Sequence, residues 1–226
     1  MQTLNLIFDW SEVWALLVPM IFILRAKNIE SYLRPIIFYV FAAFFINLFA
    51  DIIADFKKPL GFPSFLQTNT FLYNIHSIVR FACFSQFFIR LSPPYFSTSK
   101  RVIQIVGVLF SVVYFSFENF NNPNHISGDF LASEAILLLI FCMLYFLHKL
   151  RVENYKPFNT AEFYITMGLS IYVVINFFVF LFYIPMIVED ASLANNMWNL
   201  HNLVYIVLCL FIARAFYTPS MTNATA

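Results

Sequence analysis

The sequence predicts an all-α fold, a polytopic membrane protein built as a seven-transmembrane-helix bundle with the amino terminus outside and the carboxyl terminus inside. Three observations predict it. The 226-residue chain is 61% hydrophobic, with 31 phenylalanines, and only 11% charged, where soluble domains run to roughly a quarter. That much apolar surface needs lipid rather than water as its solvent. The apolar residues also fall into seven runs of about the 20 residues that a bilayer crossing requires. Finally, the charges between runs change character from one side to the other. A multi-pass integral membrane protein follows, in the cytoplasmic membrane if the source is bacterial, with the lipid bilayer as its first partner. A net charge of +1 offers no electrostatic footprint to nucleic acid, so no nucleic-acid partner is expected.

The predicted spans are 10–26, 31–52, 65–90, 101–119, 129–150, 159–185 and 193–217. The first has Asp9 and Glu12 at its start and Arg25 and Lys27 after it. This is the charge order of a helix inserted amino end outward, not of a cleavable signal peptide. The third span, 65–90, carries enough polar residues to weaken its hydropathy. With the amino terminus outside, the inner loops and tail hold Arg25, Lys27, Arg34, Arg90, Lys100, Arg101, Lys149, Arg151, Lys156 and Arg214. The outer segments hold Lys57 and Lys58 and most acids, including Asp51, Asp55, Glu118, Asp129, Glu189 and Asp190. Every loop thus obeys the positive-inside rule. Asn121–Asn124 with Pro123 reads as an outer turn, and the polar tail from Thr218 reads as frayed. Cys83, Cys142 and Cys209 fall inside apolar runs, where cysteine behaves as a small apolar residue. The chain reads as a single membrane domain, 1–226.

Its rare polar residues recur in order. Ser11-Glu12 is echoed by Ser133-Glu134, Ile46-Asn47 by Ile175-Asn176, Asn74-Ile75-His76 by Asn199-Leu200-His201, and Phe88-Ile89-Arg90 by Phe211-Ile212-Ala213-Arg214. The offsets, 122 to 129 residues, imply a 3+1+3 plan: a first triplet at 10–90, a connector helix at 101–119 and a second triplet at 129–217. One extra helix returns the second triplet to the orientation of the first, which makes the repeats parallel about an axis along the membrane normal. The plan resembles that of PQ-loop sugar transporters, vitamin transporters and microbial rhodopsins. The resemblance stops at architecture, because no Pro-Gln pair stands in the first or fifth span and no lysine lies in the seventh.

Polar groups in hydrocarbon are costly and mark function. Here Glu12, Asn47, Asp51, Asn74, His76, Glu134, Asn176, Asn199 and His201 gather in the outer half, which predicts an outward-facing polar cavity. On the third span Asn69, Tyr73, His76, Arg80 and Phe87 share a face; on the seventh, Trp198, His201 and Tyr205 share one, and Asn195, Asn199 and Asn202 another. Helices polar on two sides belong inside a bundle. Arg80 lies too deep to reach water and needs Asp51, Glu12, Glu134 or an anionic ligand as its partner. The candidate ligand-binding set is Arg80, His76, His201, Asn47, Asn176, Tyr73, Tyr205, Glu12 and Glu134. Trp10, Trp14 and Trp198 read as an interfacial aromatic belt.

Three functions compete at this level. The first is a sensor or receptor that binds a small polar or anionic ligand in the cavity and signals through a cytoplasmic or membrane partner. The second is a secondary transporter of a small polar solute. The third is a metal-dependent hydrolase using His76, His201, Glu12 and Glu134. Only Gly107 and Gly168 among the four glycines lie within spans, and Pro19 is the one proline read as deep in a helix. Symmetric helix breaks, the usual mark of alternating access, are therefore missing. No close-spaced ligand motif supports a metal, so neither metal nor cofactor is expected.

Overall fold

The computed structural model describes residues 8–60, 69–91, 94–121, 128–151 and 159–217. Within them every regular element is helical, and no strand is present. The elements are α1 (Ser11–Arg25), a 3₁₀ turn (Ser31–Leu33), α2 (Arg34–Leu60), α3 (Thr70–Arg90), α4 (Ser97–Asn121), α5 (Gly128–Arg151), α6 (Ala161–Glu189) and α7 (Ala191–Tyr217). The predicted turn at Pro123, the tail from Thr218, and the first residues of span 65–90 lie outside the described residues.

Five of these helices are long and apolar enough to cross a membrane, which marks an integral membrane protein: Ser31–Asp55, Ser97–Phe117, Gly128–Arg151, Ala161–Tyr183 and Ala191–Tyr217. The expected count of seven is not reached on this measure. α1 has 15 residues, or about 23 Å of rise, short of a hydrocarbon core of about 30 Å. α3 has 21 residues and sufficient length, but Asn74, His76, Ser77, Arg80 and Ser85 dilute its apolar character. Those five side chains are all buried, so their company is protein.

Six helices form a closed ring in which α1 packs on α2, α2 on α3, α3 on α5, α5 on α6, α6 on α7 and α7 on α1. α4 packs on α3 and α5 from outside and turns Val102, Ile105, Val106, Leu109, Val113 and Phe117 outward, as a lipid-facing helix does. The ring encloses an aromatic core that includes Tyr39, Phe81, Phe84, Phe87, Phe88, Phe141, Tyr145, Tyr172 and Tyr205. Two glycines allow close helix approach: a Cβ on Gly107 would strike the ring of Phe81, and one on Gly168 would strike Phe211.

Some sequence expectations shift. α2 runs to Leu60 and α4 begins at Ser97, beyond their predicted ends at 52 and 101. α6 continues past Pro185 to Glu189, so Pro19 is not the only proline inside a helix. The link from α6 to α7 is a single extended residue, Asp190. Its Oδ1 accepts the backbone N–H groups of Ser192 and Leu193 at 3.0 and 3.1 Å, an N-cap that starts α7 earlier than predicted. Lys100, expected among the inner loop charges, is only 1% exposed. Its Nζ donates to the Phe88 carbonyl at 2.7 Å and lies 3.6 Å from the centre of the Tyr95 ring. The lysine thereby satisfies a backbone acceptor in the last turn of α3. Cys83, Cys142 and Cys209 are buried and free.

Candidate functional site

The ring holds two buried acid–base contacts, each joining helices far apart in sequence. In the first, Arg80 on α3 meets Glu134 on α5. Arg80 Nε donates to Glu134 Oε1 at 2.8 Å and Nη2 donates to Oε2, to which Ser77 Oγ also donates at 2.6 Å. Arg80 Nη1 donates to the Tyr172 hydroxyl of α6 at 2.6 Å. This fork is the geometry that makes arginine–carboxylate pairs strong. Of the three partners the sequence offered to Arg80, the structure selects Glu134. Asp51 stays on α2, with Oδ2 buried and no hydrogen-bond partner among the described residues.

In the second contact, His201 on α7 is held at both nitrogens. Nδ1 stands 2.6 Å from Asn176 Oδ1 on α6, and Nε2 stands 2.8 Å from Glu12 Oε1 on α1. An amide oxygen can only accept, so Nδ1 carries a proton. Asn47 on α2 donates from Nδ2 to the Glu12 carbonyl at 3.3 Å and to the Tyr205 hydroxyl at 3.4 Å.

Between these contacts lies a cavity of about 20 Å³, lined by Glu12, Tyr73, His76, Arg80, Leu131, Phe180, Trp198 and His201. That is room for a water or a group of similar size. The predicted outward-facing cavity is therefore nearly closed. Trp198 covers it: its ring centroid lies 5.1 Å from His201, 5.6 Å from Tyr73 and 5.3 Å from Tyr183. Trp198 is thus engaged with the site and not only a belt residue. His76 stacks on Tyr39 at 5.8 Å and meets the edge of Tyr205 at 6.1 Å. Its Nε2 is buried without a hydrogen-bond partner among the described residues, which calls for a water or ligand.

The nine residues predicted from sequence all belong to this network. Glu12, Tyr73, His76, Arg80 and His201 line the cavity, while Asn47, Glu134, Asn176 and Tyr205 hold the residues that line it. Sequence reasoning missed Tyr172, Ser77 and Phe180. Only the position of Tyr172 one helical turn before Asn176 hinted that it faces inward. The four residues proposed to bind a metal split into Glu12–His201 and Arg80–Glu134 contacts instead of converging with His76. Among the described residues no three His, Cys, Asp or Glu side chains cluster closely enough to hold an ion. Compared with family models, characterised proteins and solved structures, the chain matches none of them.

Proposed function

We propose that the protein is a seven-transmembrane-helix sensor module which binds a small polar ligand in this outer-half cavity and signals through a partner protein. The observation that carries the reading is convergence. Side chains from α1, α3, α5, α6 and α7 meet around one cavity, and the cavity's walls are also the contacts that join the ring. A ligand seated there competes with Glu12–His201 and bears on Arg80–Glu134, so occupancy alters how distant helices pack. Ligands shift conformations only through such differential contacts.

The seven crossings, the outside amino terminus and the 3+1+3 repeat belong to the same proposal. The ring supports the repeat, because exchanging α1–α2–α3 with α5–α6–α7 maps each neighbouring pair onto another and leaves α4 apart. The two carboxylates support it as well. Glu12 of the first triplet reaches α7 of the second, and Glu134 of the second reaches α3 of the first. α3 can cross the bilayer despite its polarity, since its polar side chains are enclosed by protein. Orientation is read by cysteine labelling in a cysteine-free background: Ser97→Cys should react only from the inner side and Ser192→Cys only from the outer.

A sensor fits better than a transporter because Phe84, Phe87, Phe88, Phe141 and Tyr145 fill the bundle below the cavity and offer a polar solute no path. The test is uptake by proteoliposomes of a panel of amino acids, amines and sugars, alongside binding followed by Trp198 fluorescence. Binding without uptake is expected. Saturable uptake abolished by Arg80→Ala would replace the sensor with a secondary transporter.

A further inference from the structure

We propose that the group the cavity takes is an ammonium, the head of a small amine; this rests on the cavity being a ligand site. Charge accounting carries the inference. Arg80 is already neutralised by Glu134 through two N–H donors, and a third is held by Tyr172. An incoming anion would have to share a guanidinium whose partner is in place. Glu12 differs. Its Oε1 contacts His201, while its Oε2 has no hydrogen-bond partner among the described residues.

Trp198, Tyr73 and Phe180 line the same cavity as that carboxylate. Aromatic faces attract cations and repel anions, so three rings and one half-engaged carboxylate form a receptor for positive charge. His76 Nε2, buried and unpartnered, adds an acceptor when its ring is neutral. The volume of about 20 Å³ fits one –NH₃⁺ group, which is the size of a water. The remainder of the ligand would leave past Trp198, whose half-buried ring covers the cavity. Glu12 sits in the first turn of α1, at the depth of an outer lipid headgroup in the proposed orientation. The amine therefore has two sources, a soluble molecule or the ethanolamine of a phospholipid.

The experiment uses the full chain with Trp10→Phe and Trp14→Phe, which leaves Trp198 as the single indole of the three. In nanodiscs of phosphatidylglycerol alone, the protein is titrated with ethylammonium, propionate and n-propanol. A saturable change in Trp198 emission is expected with ethylammonium only. Affinity should fall about ten-fold in Glu12→Gln, which loses a charge-assisted hydrogen bond. Phe180→Leu preserves an apolar wall if Glu12→Gln does not fold, and should weaken binding about three-fold. Adding phosphatidylethanolamine to the disc separates the sources: competition with ethylammonium identifies the headgroup as a ligand, and an unchanged titration identifies a soluble amine. A response to propionate or propanol without one to ethylammonium overturns the ammonium assignment and leaves the cavity a ligand site. No response to any of the three in folded protein overturns both.

Discussion

Replacing Glu134 with glutamine removes one charge and changes almost no volume, so it isolates the worth of the Arg80 pair. Glu134 accepts three hydrogen bonds, from Arg80 Nε at 2.8 Å, Arg80 Nη2 and Ser77 Oγ at 2.6 Å. The amide of Glu134→Gln keeps one acceptor oxygen and turns an N–H₂ group toward the guanidinium or the serine. Arg80 would then be a buried cation without a counter-charge, held by Tyr172 and at most one amide oxygen, and breaking a buried pair from one side costs about 3–5 kcal/mol. Neutral interhelical hydrogen bonds in membranes average about 0.6 kcal/mol, so the ion pair stands well clear of them. Ser77→Ala, which removes one neutral donor, should cost only about 1 kcal/mol. The double variant Arg80→Met/Glu134→Leu removes both charges and should be more stable than Glu134→Gln. The cycle of Arg80→Met, Glu134→Leu and their double is read by SDS-driven unfolding in mixed micelles, followed by circular dichroism, with a coupling of at least about 2 kcal/mol expected. Single losses that add to the double within about 0.5 kcal/mol would refute the reasoning.

Three further substitutions test the packing. Gly168→Ala places its Cβ against the Cβ of Phe211, which cannot swing away, whereas Gly107→Ala meets the far ends of two side chains, the Phe81 ring and Leu137 Cδ1. Thermal unfolding should show a loss of about 1–3 kcal/mol for the first and a smaller one for the second. Lys100→Met strips the Phe88 carbonyl of its donor and the Tyr95 ring of its cation, and should cost about 2 kcal/mol. Lys149→Gln, by contrast, breaks a partly exposed pair with Glu162 at 3.2 Å, and unfolding should register less than about 1 kcal/mol. Maleimide should leave Cys83, Cys142 and Cys209 unlabelled in folded protein, since all three are buried; mass spectrometry before and after denaturation checks this.

The residues of the site were legible in the sequence because charge and amide groups are expensive in hydrocarbon, so each one in an apolar run announces a partner. What periodicity supplies is a face, and a face does not name its neighbour. Arg80 had three carboxylates to choose from; the ring order sets both α2 and α5 beside α3, and only the side-chain geometry picks Glu134 over Asp51. The same limit explains the misreading of Lys100. The positive-inside rule counts charges by side of the membrane and is blind to a lysine that folds back against a helix end. Tyr172 and Phe180 stayed hidden for the opposite reason: among 31 phenylalanines and 12 tyrosines, an aromatic that serves the site looks like one that serves the core. α1 and α3 fall below a hydropathy measure because one is short and the other spends its surface on protein contacts.

The two buried acid–base contacts differ in what their bases can do. In the proposed repeat, His76 would correspond to His201, and the position of Arg80 to Tyr205, one turn further along. Glu134 meets a guanidinium, while Glu12, its proposed counterpart, meets an imidazole that sits one turn earlier on its helix than the position matching Arg80. A guanidinium does not give up its proton in a protein, so the α3–α5 contact keeps its cation. Glu12, by contrast, is engaged by His201 through one oxygen only, so the α1–α7 contact is the one an ammonium can compete for. Under the proposed function, departure from exact symmetry makes one contact a fixed joint of the ring and the other a joint that ligand can open. Exchanging the bases tests this directly. His201→Arg should hold Glu12 permanently and abolish the response of Trp198 to ethylammonium while raising thermal stability. A response that survives in His201→Arg would show that ligand does not act through the α1–α7 contact.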